Sequence, residues 1–234
     1  MPHQLNLDEI DADGAVREAA DAASGDTRLG FLKKAGVGGG ALLSGGAVLS
    51  ALAPAALAGQ NGRPPTSFGR GDVGVLNYAL TLEYLEAAFY NGATAANMSL
   101  PVQVAAFLKT VTADENAHVT FLKKHLGAKA VKQPKFDFKG ANTNPATFMK
   151  TAQVLENTGV HAYAGQALNI KTPAYVKAAV TILTVEARHA SVIGLLNEGA
   201  SPNGAQIAPD GPFDVPYPAA KVLAAVKETG FIVG

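Results

Sequence analysis

Two copies of one polar pattern recur in the back three-quarters of the chain. Glu83 is followed by Tyr90 and then by Glu115-Asn-Ala-His118; Glu156 is followed by Tyr163 and then by Glu186-Ala-Arg-His189. The Glu-to-Tyr spacing is seven residues in both copies, and the Glu-to-Glu separations are 32 and 30 residues. On a helix, positions three, four and seven apart share a face. The pattern therefore demands four helices, each turning carboxylate or imidazole groups toward one centre.

Apolar residues at three- and four-residue steps place those helices. The first is predicted over about 72–92, with Asp72 as N-cap and Asn91-Gly92 as the stop; Leu76, Ala79, Leu80, Glu83, Ala87 and Tyr90 form its stripe. The second spans Leu100 to Leu126, with Pro101 in its first turn and Gly127 closing it. The third is predicted over 145–168, with Ala152, Glu156, Gly159 and Tyr163 aligned, and the fourth over 173–198, with Ile182, Glu186, His189 and Ile193 aligned. Residues 127–148 hold Gly, Pro, Asn and Lys without a sustained apolar period. A connection that long inside a compact domain has a topological reason. The expected fold is an all-α four-helix bundle with a long crossover between helices 2 and 3. The tail, 199–234, is Pro/Gly-rich and ends in a short helix over Ala219–Glu228, a C-terminal extension wrapped on the bundle.

Composition narrows the chemistry. There is no Cys among 234 residues, which excludes thiolate metal sites and disulfides, and the zero net charge gives no support for nucleic-acid binding. Residues 59–234 hold only twelve carboxylates, and five of them are Glu83, Glu86, Glu115, Glu156 and Glu186. Acid groups are scarce there and concentrate where helices face inward.

Residues 1–58 read differently. The uncharged, Gly/Ala-rich run 35–58 follows Lys33-Lys34 and ends Ala56-Leu57-Ala58, the form of an export signal cleaved after Ala58. Thr27-Arg28-Leu29-Gly30-Phe31-Leu32-Lys33 resembles the twin-arginine export motif, with Leu29 where the second Arg belongs. Residues 59–71 read as a linker. The expected mature protein is exported to the periplasm or cell surface and keeps no stable membrane span after the leader is removed.

A buried carboxylate without a partner costs several kcal/mol. Four of them on four inward faces call for a compensating cation. Two divalent ions match four carboxylates, with His118 and His189 completing the shell. A carboxylate-rich set with few imidazoles suits iron, or manganese; zinc favours fewer ligands and more His or Cys. Tyr90 and Tyr163, two turns beyond Glu83 and Glu156, are placed to hydrogen-bond a ligand from a neighbouring helix. Glu86 shares the face of Glu83, but its counterpart in the second copy is Gly159, which marks it as an additional or alternative ligand and as a source of asymmetry. Asp114 is expected to point away from the centre, His161 and His125 to be structural or exposed, and the Lys-rich stretch 123–139 to be a solvated helix end and loop.

Leu82-Glu83-Tyr84-Leu85-Glu86-Ala87-Ala88-Phe89-Tyr90, together with the two Glu-x-x-His pairs, resembles the ferritin-like superfamily over about residues 72–198, and most closely its exported members of the desiccation-related type. The resemblance implies a two-metal site built from Glu83, Glu115, His118, Glu156, Glu186 and His189, holding iron or manganese. Two functions follow. One is an oxidoreductase whose metals react with O₂ or H₂O₂, as a ferroxidase or a peroxide-consuming enzyme. The other is a non-catalytic, stress-protective bundle at the cell envelope. Iron storage in a cage fits poorly with the long leader and tail; the sequence is compatible with a homodimer, and a monomer or dimer by size-exclusion chromatography would rule a cage out.

Overall fold

Five α-helices form among the described residues, 62–198 and 207–233, of the computed structural model: α1 (Gly71–Ala95), α2 (Val102–Leu126), α3 (Pro145–Gln166), α4 (Pro173–Asn197) and α5 (Ala219–Thr229). The expected export signal, 1–58, and the beginnings of the expected linker and of the tail lie outside these residues.

The helix boundaries have local causes. Asn144 caps α3, its Oδ1 accepting from the backbone of Ala146 (3.0 Å) and Thr147 (3.2 Å), and Pro145 follows at the first helical position. Gly127 ends α2 at φ 54°, in the left-handed range that glycine adopts without a Cβ penalty. Two expectations for α1 need correction. Asp72 is not its N-cap: Arg70 holds that position without a side-chain bond, and the Asp72 carboxylate accepts from the backbone of Lys171 and Thr172, both at 2.9 Å, tying the α3–α4 connection to the start of α1. Nor does Asn91-Gly92 stop the helix, which runs on to Ala95. Gly92 is there for close approach, because the side chain of Asn142 lies where its Cβ would be and donates to the Phe89 carbonyl at 3.3 Å.

Cross-helix pairs set the directions. Tyr90, late in α1, bonds Glu156, midway along α3, and Tyr163, late in α3, bonds Glu83, midway along α1. His118 of α2 meets Glu186 of α4, while Glu115 meets His189. Both pairings are antiparallel. The crossover supplies the remaining topology. Asn77, near the start of α1, donates to Lys129 O and accepts from Val131 N, both at 2.9 Å. Asn142, at the far end of the crossover, reaches Phe89. The segment thus runs beside α1 for 12 residues of helix, about 18 Å, and lets α2 and α3 lie parallel.

α1 is the central helix: 17 of its 25 residues are buried, so it is covered on every side. The crossover lies along it, and the tail completes the cover. Ala219, Val222 and Val226 of α5 join the apolar core. Phe231 packs edge-on against Phe138 at 5.3 Å, and Asp137 N donates to Phe231 O at 2.9 Å. His161 anchors the approach to α5: its ring stacks on Tyr217 at 4.1 Å and its Nδ1 bonds Val215 O at 2.8 Å. α4 is long and apolar enough to cross a bilayer; in the bundle its inward face carries Glu186 and His189, both buried.

Candidate metal centre

The inward polar groups lie between two apolar clusters. On α2, Val104, Phe107, Leu108 and Val111 belong to one cluster, Leu122 and Leu126 to the other, and Glu115 and His118 fall between. On α4, Ala179 and Ile182 lie on one side and Ile193 on the other of Glu186 and His189. The four carboxylates of Glu83, Glu115, Glu156 and Glu186 are fully buried, at 0 % exposure, and His118 and His189 are buried at 9 % and 6 %.

All six residues singled out from the repeat come together, in two overlapping sets. Glu83, Glu115, His118 and Glu186 form one; Glu115, Glu156, Glu186 and His189 form the other; within each, the ligand atoms lie within 4.8 Å of one another. His118 Nδ1 stands 3.3 Å from Glu83 Oε2, 3.2 Å from Glu115 Oε2 and 3.2 Å from Glu186 Oε1. His189 Nδ1 stands 3.2 Å from Glu115 Oε1, 3.3 Å from Glu156 Oε2 and 3.7 Å from Glu186 Oε2. Glu115 and Glu186 therefore offer one oxygen to each set and are placed to bridge. Glu83 and Glu156 are terminal, one per set.

The tyrosines complete the symmetry. Tyr163 donates to Glu83 Oε1 and Tyr90 to Glu156 Oε1, both fully inside the bundle. Each terminal carboxylate thus has one oxygen held and the other turned to the centre. Burial raises both phenols well above their usual range, and the neighbouring carboxylates raise them further, so they remain hydrogen-bond donors.

Electrostatics show how strained this set is without a cation. Burial, reinforced by the Glu186 charge, pushes Glu115 up to about 8. Burial likewise pushes Glu156 up to about 8. Burial would raise Glu186 too, but the facing imidazoles of His118 and His189 outweigh it and hold the group at about 2. Burial opposes charge on both histidines; their carboxylate neighbours nevertheless raise His189 to about 12 and His118 higher still. Glu83 Oε2, Glu115 Oε1, Glu156 Oε2, both Glu186 oxygens and His189 Nδ1 are buried without a well-directed hydrogen bond. Buried polar atoms are normally satisfied. Orphaned oxygens from four helices, converging with two imidazole nitrogens, fit a pair of hard divalent ions.

Glu86 lies against this set without joining either four-residue group. It is 3 % exposed, and its Oε1 is 3.4 Å from where a Cβ on Gly159 would sit. The missing side chain at 159 is the space that the fifth carboxylate occupies. Burial and then the charges of Glu186, Glu115, Glu156 and Glu83 raise its carboxyl well above the usual range. It also lines a cavity of about 30 Å³, room for one water, between α1, α3 and α5.

Asp114 does not point away as expected. Its Oδ2 is 3.1 Å from His189 Nε2, the outer edge of a ring whose inner nitrogen faces Glu115 and Glu156. The helical stripe could not reveal this, because Asp114 lies off its own helix's inward face and acts on a residue of α4.

A bundle of this topology with a doubled carboxylate–imidazole centre defines a ferritin-like protein. The family model described as ferritin-like domain matches residues 71–198, and the chain belongs to that family. No curated protein matches it at a significant level.

Proposed function

We propose that this protein is an exported di-metal carboxylate protein, binding two iron or manganese ions and using them to consume O₂ or peroxide. The observation that carries the reading is the pair of overlapping ligand sets sharing Glu115 and Glu186. Bound there, two redox-active divalent ions would supply one electron each, enough to reduce one peroxide to two waters with uptake of two protons. The chain's own residues do the rest. Glu115 and Glu186 present an oxygen to each position, Glu83 and Glu156 close the ends, and Tyr163 and Tyr90 keep those carboxylates from rotating. Asp114 Oδ2 accepts a hydrogen bond from His189 Nε2–H, which leaves the Nδ1 lone pair free to ligate. The apolar clusters on both sides exclude bulk water. Protons held on Glu115, Glu156 and the imidazoles leave as metal enters. The export part of the proposal rests on the leader-like residues 1–58.

The test is an oxidant challenge of anaerobically iron-loaded protein, followed by absorption and Mössbauer spectroscopy. Oxidation of both ions with peroxide loss near one equivalent per chain supports the redox reading. Loaded protein inert to both O₂ and H₂O₂ counts against it and favours the stress-protective bundle.

A further inference from the structure

The two halves of the centre are alike on the inside and unlike on the outside. His189 is backed by Asp114, whose carboxylate meets its Nε2 at 3.1 Å. The residue at the same register in the second copy, one before Glu186, is Val185. Val185 lines a cleft with His118, Ala117, Phe121, Ala178, Thr181 and Ile182, an opening of about 290 Å³ between α2 and α4. Among the described residues of that lining, the other side-chain polar group is the Thr181 hydroxyl, which already donates to Ala178 O at 2.8 Å. His118 Nδ1 is turned to three carboxylates, and among the described residues no carboxylate meets its Nε2 edge. The surroundings differ in the same sense. The edge of Phe107 packs on the His189 ring at 6.4 Å, and Phe107 belongs to an aromatic group with Tyr90, Phe148 and Phe89.

A carboxylate on the outer nitrogen of a ligating imidazole fixes the ring and makes its inner nitrogen a stronger donor, an effect of about 10–100-fold on metal affinity. Resting on the di-metal reading above, we infer that the two positions are unequal. The His189 position holds a resident ion, positioned by Asp114, with the Phe107 ring packed beside its imidazole. The His118 position is the exchangeable one, reached through the cleft between α2 and α4. Asp114 touches no ion or substrate; it is a positioning residue acting through His189.

The experiment is an anaerobic titration of the metal-free chain with Mn²⁺, read by calorimetry and by loss of the free-ion EPR signal. The wild type is expected to take up two ions, the first at least about tenfold tighter than the second. His189→Ala should abolish the tight class and His118→Ala the weak one. Asp114→Val, which copies the other half, should weaken the first ion about 10–100-fold and leave the second unchanged, whereas Val185→Asp should tighten the second. Ala178→Trp, which fills the cleft, should slow exchange of the weak ion alone. Circular dichroism of each metal-free variant checks folding; should Asp114→Val not fold, Val185→Asp and the two histidine variants decide. Two ions of equal affinity in the wild type, or a reversed assignment in the histidine variants, overturn the inference while leaving the di-metal reading intact. An Asp114→Val variant with both affinities unchanged does the same. A chain that binds neither Mn²⁺ nor, in the same anaerobic titration, Fe²⁺ overturns both.

Discussion

At the scale of single residues, the centre depends on hydrogen bonds that hold one oxygen and leave the other free. Tyr90 and Tyr163 serve opposite copies of the repeat, so each ties two helices as well as orienting a ligand. Tyr163→Phe leaves Glu83 Oε1 buried without its donor and should cost about 1–3 kcal/mol. Tyr90→Phe should cost a similar amount through Glu156. Tyr78 is the control. Its hydroxyl is buried with no hydrogen-bond partner among the described residues, so Tyr78→Phe should be neutral or stabilising by up to about 1 kcal/mol. Chemical denaturation of the three variants checks the contrast. A second prediction concerns pH. Glu115 and Glu156 keep their protons to about 8 when folded, whereas unfolded carboxyls release them near 4.5. The native state therefore binds more protons between those values, and stability falls as pH rises through that window. His189 adds the same sign above 6.5, since it stays charged to about 12. Glu186, held at about 2, acts only at the acid end, where stability falls as pH drops below 4.5. Metal-free protein should thus have its highest melting temperature near pH 5 and lose stability steadily toward pH 8. With Mn²⁺ present the trend should weaken or reverse, because metal entry displaces the same protons.

At the scale of elements, the crossover and the ends of α1 carry most of what sequence periodicity does not show. The stripes of α2, α3 and α4 are legible because their apolar residues alternate with exposed ones. α1 is buried all round, so only caps and glycines mark its limits, and these mislead. Gly92 looks like a terminator but makes room for Asn142; Asp72 looks like a cap but grips the α3–α4 connection 99 and 100 residues away. Asn77 gives no sequence signal, yet it receives or donates three bonds at 2.9 Å, to Phe68 O, Lys129 O and from Val131 N. Asn77→Leu leaves those backbone groups without their partner and should cost about 2–4 kcal/mol, at roughly 1–3 kcal/mol per orphaned buried group with partial relief from water. Hydrogen exchange should show the loss first at Val131, where the crossover leaves α2. Full protection at Val131 in that variant would contradict the role assigned to Asn77.

At the scale of the whole molecule, the topology is legible in the long 127–148 connection, which lets α2 and α3 run parallel and brings the two halves of the doubled pattern together. The six inward groups were legible because Glu-x-x-His spacing dictates one face, and a scarcity of other acids makes that face conspicuous. Asp114 and the cleft beside His118 were not, because both arise from how α2 and α4 pack and not from either helix alone. On the proposed di-metal reading, the bundle would also couple metal binding to folding. Since the orphaned oxygens come from four different helices, ions that join them should stabilise the whole domain by mass action, about 2.7 kcal/mol at a hundredfold excess over Kd. A melting temperature unchanged by saturating Mn²⁺ would argue that the four helices do not share an ion. The most direct test of the account is the metal content of protein purified without chelators and then reconstituted anaerobically with Fe²⁺ or Mn²⁺. Two ions per chain, falling below two when Glu115 or Glu186 is replaced by Ala, is the predicted result. Less than one ion per chain after reconstitution would contradict it.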